Sequence, residues 1–110
     1  MAYSKELADR IRQSLARVPD VEEKKIFGGL AFMIRAKMCL AAGAGQMMCR
    51  IDPDLHEIVT KKQGCQTVIM GGRKYKGWVY LNKENLQEED DFNYWVNLAL
   101  DFNKTICDSD

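Results

Sequence analysis

Apolar residues recur along this chain in two rhythms. Between Ser4 and Leu15 they stand at Leu7, Ile11 and Leu15, with Ala8 alongside. Steps of four predict an amphipathic helix, and Ser4 is its N-cap. Val18-Pro19-Asp20 closes it, because the residue before a proline is pushed out of the helical region. Short apolar runs then take over. Residues 21–27, 30–35, 38–42 and 47–51 predict an antiparallel meander. Gly28-Gly29 is a turn or bulge, and the turns of the meander fall at Arg35-Ala36-Lys37 and Gly43-Ala44-Gly45, although Asp-Gly or Asn-Gly would be the ordinary choice at the first of these.

Asp52-Pro53 opens a second helix, with Asp52 as cap and Pro53 at the first helical position. Leu55, Ile58 and Val59 are its expected buried face, and Gly64 its stop. Residues 67–70 and 77–81, joined through Gly71-Gly72, predict two further strands. Residues 83–87 predict one loose turn. The last element is a helix with Phe92, Trp95, Val96, Ala99, Phe102 and Ile106 on one face. Residues 88–91 are four carboxylates at its start, where the helix dipole favours negative charge. The order α-β-β-β-β-α-β-β-α argues an α+β fold: a single antiparallel sheet with helices on one face. The other face would be partly open, a surface for interaction.

Composition narrows the function without naming it. The 110 residues suit one domain, 1–110, burying about 60–70% of its unfolded surface without metal or disulfide staples. Sixteen basic residues balance sixteen acidic ones, so no general attraction to nucleic acid or an anionic membrane is expected. The first fifteen residues are charged and amphipathic, unlike a secretory leader, and no apolar run reaches spanning length. A cytoplasmic location follows as the expectation. Cys39, Cys49, Cys65 and Cys107 form no C-x-x-C pattern, so thiols are expected and a metal site is not. A three-residue loop at 43–45 would set Cys39 and Cys49 face to face.

Chemistry-bearing residues are few, and no catalytic, cofactor-binding or metal-binding constellation is recognisable. His56 is the single histidine; it reads as a solvent-facing helix residue unless spatial partners surround it. Gly71-Gly72-Arg73-Lys74-Tyr75-Lys76-Gly77 combines free backbone with three cations, and suits an acidic or phosphate-bearing partner. Lys61 and Lys62 would add charge to it. The segment lacks the P-loop pattern, and no G-x-G-x-x-G occurs. From residue 84 onward Glu84, Glu88, Glu89, Asp90, Asp91, Asp101, Asp108 and Asp110 face only Lys104. The chain is neutral yet polarised. Phe27, Phe32, Tyr75, Trp78 and Tyr80 sit among apolar neighbours and read as core.

Three blocks carry a resemblance: Met1-Ala2-Tyr3 with the first helix, Lys25-Ile26-Phe27-Gly28-Gly29-Leu30-Ala31-Phe32-Met33, and Gly72-Arg73 leading to Lys76-Gly77-Trp78-Val79-Tyr80. With their spacing, they make the chain similar to the N-terminal domain of the TfoX (Sxy) family of bacterial competence regulators. The resemblance implies a secretion-chaperone-like α+β fold and assistance to a transcriptional activator. Longer competence regulators carry a second domain, so the length here suggests the stand-alone version. The family supplies no agreed catalytic residues. An RNA methyltransferase activity, attributed to some relatives, is set aside because no cofactor-binding Gly-rich turn follows a strand.

The expectation is a non-enzymatic regulatory or protein-interaction domain without a cofactor. Its partner would be another protein such as a transcription regulator, contacted through Gly72, Arg73, Lys74, Lys76, Lys61 and Lys62. Nucleic acid would be bound weakly or indirectly, and membrane not at all. The runner-up is a nucleic-acid-binding regulator in which those cations gather on one face. An enzyme using His56 or a cysteine comes third and requires a deep pocket.

Overall fold

A computed structural model describes residues 3–26 and 28–108. Phe27, Asp110 and the Met1-Ala2 pair lie outside the described residues. The first helix, α1, spans Lys5–Ser14, and the Ser4 hydroxyl accepts from the Leu7 N–H at 3.2 Å. Leu7, Ala8, Ile11 and Leu15 are all buried. The helix stops at Ser14, before the proline, with Leu15 as its cap, and a trailing turn carries the chain to Pro19.

The meander follows as β1 (Val21–Ile26), β2 (Gly29–Ile34), β3 (Lys37–Ala42) and β4 (Gln46–Arg50). A 3-10 turn, Pro53–Leu55, leads into the short helix α2 (His56–Val59). Asp52 caps that turn, its carboxylate accepting from the Asp54 N–H at 2.9 Å. Then come β5 (Cys65–Met70), β6 (Arg73–Asn82), a 3-10 turn over Lys83–Leu86 and the long helix α3 (Glu89–Asp108). This is the α+β order that the hydrophobic pattern predicts. The six strands form one open antiparallel sheet in the order β1-β2-β3-β4-β6-β5.

Register assigns the two faces. The row Leu30, Ala42, Met47, Leu81, Cys65 is paired across the sheet. With Phe32, Leu40, Cys49 and Val79 it forms one cluster with the stripes of α1 and α3. Phe92, Trp95, Val96 and Ala99 supply the α3 side, and the Arg10 guanidinium of α1 lies 4.1 Å over the Phe92 ring. The alternate row, Ala31, Ala41, Met48, Tyr80, points away from these helices.

Three expectations are corrected here. Ala42 pairs with Met47 and the Gly43 N–H donates to Gln46 O at 2.8 Å, so the turn is Ala44-Gly45; Cys49 therefore faces Leu40, while Cys39 sits at an irregularity in the β2–β3 ladder. On α2 the buried residues are His56 and Val59, whereas Ile58 is 61% exposed. Val59 is in the core and Leu55 packs against it as expected, but Ile58 is not, and His56 takes the buried place expected for it. Of the aromatics read as core, Phe32 is fully buried, but Tyr75, Trp78 and Tyr80 are only half-buried. Trp78 and Tyr80 alternate with the buried Val79 and Leu81, and alternation sends them to the other side of the strand.

Candidate functional site

The chain's most distinctive local structure is the β5–β6 hairpin. Gly71 and Gly72 have φ of 58° and 78°, the left-handed pair a two-residue hairpin turn requires. They join Met70 to its partner Arg73. Lower down, the ladder slips. Thr67 pairs with Val79, but the next residue, Val68, pairs with Tyr75. Lys76, Gly77 and Trp78 are therefore extra residues of β6 relative to β5, an irregular bulge of three residues. Gly77 sits there at φ 90°, and a Cβ at this position would meet Ile51 O and Pro53 at 3.1 Å.

His56 fastens the bulge. Its Nδ1 accepts the Gly77 N–H at 2.9 Å, and its Nε2 lies 2.9 Å from Thr67 Oγ1. With Nδ1 accepting, the ring is neutral and Nε2 carries the proton donated to Thr67. The Ile51 N–H donates to Gly77 O at 2.7 Å from the other side. Burial pushes the His56 pKa below its ordinary value; the nearby Lys76 charge acts in the same direction, and Glu57 opposes it. The solvent-facing reading of His56 is thus overturned: the side chain is 7% exposed and both ring nitrogens are engaged. It is a structural clamp between α2, β5 and β6. A lone histidine beside Leu55 gave no sign of this, because its partners lie eleven and twenty-one residues away.

Beyond the clamp, Arg73, Lys74 and Lys76 are exposed, with Tyr75 half-buried among them. None of the three cations forms an ion pair with a carboxylate among the described residues. Lys61 and Lys62 do not join them. Both are exposed at the opposite end of β5, roughly 16 Å along the strand from the turn. There the Lys62 ammonium lies 5.0 Å over the Tyr94 ring of α3, sharing a shallow surface with Asp90 and Asp91. Residues 58–83 nevertheless hold six cations and not one carboxylate.

The sheet face turned from the helices carries a cleft of about 320 Å³. Met38, Met48, Met70 and Tyr80 line it, with Gly43 to Gln46 at one end. At the strand ends, the Arg50 guanidinium lies 5.1 Å from the Trp78 ring and 5.7 Å from that of Phe102.

The thiols are free and do not form a reactive centre. Cys39, Cys49 and Cys65 are buried, and Cys107 is half-buried. Burial pushes the Cys39 pKa up to about 12 and that of Cys65 up to about 11. Cys49 is raised well above the ordinary thiol range by the same cause. A thiolate is the nucleophilic form, so burial disfavours reaction of these three groups near neutral pH. Among the described residues, no three His, Cys, Asp or Glu side chains converge as metal ligands. No helix among them is long and apolar enough to cross a membrane.

Fold and site together define a small α+β domain on an open antiparallel sheet, with a clamped basic hairpin as its most prominent surface chemistry. The chain belongs to the TfoX N-terminal domain family, whose model matches residues 13–103. No curated protein matches the chain, and no solved structure does.

Proposed function

We propose that this chain is a small non-enzymatic regulatory domain that acts by binding another protein, with the basic hairpin from Gly72 to Lys76 contributing to the contact. The observation that carries the reading is that hairpin: three exposed cations, unpaired among the described residues, at the end of an arm that His56 ties to α2 at its base. Family membership supports a regulatory role, linked to competence or transcription. A transcription regulator with an acidic surface is the expected kind of partner. Zero net charge weighs against a protein that holds DNA by itself, since non-specific DNA affinity comes mainly from phosphate neutralisation.

A nucleic-acid reader is the second reading, and one observation favours it: Tyr75 stands among Lys74 and Lys76, an arrangement that suits base stacking beside phosphates. Separation of Lys61 and Lys62 from the arm deprives this reading of the single basic face it requires. Affinity capture from the native cell, with and without nuclease, tests the two. Protein capture that survives nuclease and is lost on joint Arg73→Glu, Lys74→Glu and Lys76→Glu substitution is the expected result. Capture abolished by nuclease overturns the protein-binding reading.

A further inference from the structure

The sheet has two edges, and they differ sharply. β1 carries Glu22, Glu23, Lys24 and Lys25, all exposed. Charges of this kind discourage strand pairing along an edge. β5 is the opposite edge, and its sequence Cys65-Gln66-Thr67-Val68-Ile69-Met70 has no charge and no proline. Ile69 is 56% exposed and Met70 39%. Such an edge is what natural sheets normally blunt, unless it is meant to be paired.

The backbone is set for pairing. In a two-residue hairpin, Met70 and Arg73 are the hydrogen-bonded pair that closes the turn. Alternation then directs the N–H and C=O of Ile69 away from β6, toward the free edge. At the other end of the strand, the Asn82 N–H donates to Gly64 O at 3.0 Å. The same alternation from that pair turns the main chain of Thr67 outward. The neighbouring strand contributes Arg73, Lys74 and Lys76, and residues 58–83 offer no carboxylate to offset them.

We propose that β5 takes an extended, acidic segment of a partner protein as a seventh strand, with main-chain hydrogen bonds at Thr67 and Ile69. Charge complementarity selects this occupant. Arg73, Lys74 and Lys76 stand on the strand next to β5, and acidic side chains on an added strand would meet them with opposite sign. This inference rests on the protein-binding reading and specifies its mode.

The test uses a fluorescent peptide of about eight residues alternating Val and Glu, long enough to cover one strand. It is compared with two forms of the same peptide N-methylated at alternate amides, one along each edge, and with its Val/Lys counterpart. The Val/Glu peptide binds and slows amide hydrogen exchange at Thr67 and Ile69. N-methylation on the pairing edge abolishes binding, and the Val/Lys peptide does not bind. Joint charge reversal at Arg73, Lys74 and Lys76 weakens binding about tenfold, the scale of three exposed pairs. Ile69→Glu, at a solvent-exposed side chain, weakens it without loss of fold, as circular dichroism and melting verify.

Equal binding by both N-methylated forms overturns strand addition, as does the absence of any binding. Exchange protection at Thr67 and Ile69 that rises with protein concentration alone assigns the edge to a second copy and overturns the acidic occupant. Cellular capture that survives nuclease and is lost on charge reversal, together with failure of the peptide, leaves the protein-binding reading standing and removes this inference alone.

Discussion

Arg35 and Ala36 have φ of 53° and 66°, and together they form the two-residue turn between Ile34 and Lys37. Both lie in the left-handed region that glycine or asparagine normally fills, and Ala36 has no side-chain hydrogen bond to offset the cost. Ala36→Gly is expected to stabilise the fold by about 1 kcal/mol, the relieved strain exceeding the extra unfolded-state freedom of glycine. Chemical denaturation checks this, and a variant no more stable than the parent would show that the turn is not strained. His56 carries a second prediction at this scale. Its folded pKa is depressed, so the neutral form is the one the fold stabilises. The contribution is fully present above the unfolded value of about 6.5 and is lost as pH falls through and below it. Protonation sets an Nδ1 proton against the Gly77 N–H, with Lys76 nearby repelling the new charge. The denaturation midpoint should drop between pH 7 and 5, and this drop should vanish in His56→Gln. Thiol chemistry is a third. Iodoacetamide at neutral pH is expected to modify Cys107 ahead of the three buried thiols, a ranking that mass spectrometry reads directly.

Among the helices, α3 is the longest. Its apolar stripe closes the helix-side core, and Asn103 reaches the Ile34 carbonyl at 3.3 Å while buried. Trp95 is 4% exposed, so Trp95→Ala should cost about 3–5 kcal/mol. Melting at the parent temperature would contradict its place in the core. From Phe92 to Ala99 the stripe was legible in the sequence because a regular helix repeats one period many times; Phe102 and Ile106, read as part of it, are only half-buried, and Asn103 is the buried residue there. α2 was not. Four helical residues after a 3-10 turn contain too few repeats to fix a phase, and so Ile58 was taken for Val59's partner in burial where His56 holds that place. The β5–β6 hairpin shows the same limit. Gly71-Gly72 marked its turn, but three extra residues in β6 left no local trace beyond Gly77.

At the scale of the whole molecule, neutrality conceals polarity. The hairpin carries cations and the start of α3 carries Glu89, Asp90 and Asp91. Such separation orients a docking partner more than it holds one. The isolated protein should bind duplex DNA no more tightly than the non-specific range of about 10⁻⁴–10⁻⁶ M. A fluorescence titration at physiological salt checks this; tight, sequence-selective binding would promote the nucleic-acid reading.

What the sequence determined by itself is the set of properties that repeat locally. The periods of α1 and α3, the alternation of the strands, the Ser4 and Asp52 caps and the glycine turns each depend on residues within a few positions of one another. These were enough for the element order and the α+β class. Tertiary structure alone decided which distant residues come together: His56 with Thr67 and Gly77, Arg50 with Trp78 and Phe102, and Met70 with Met38 and Met48 along one cleft. It also separated Lys61 and Lys62 from Arg73, Lys74 and Lys76. Such pairings follow from strand register and from the bulge in β6. A shift of one residue there moves every side chain to the opposite face, and nothing in the local pattern encodes that shift.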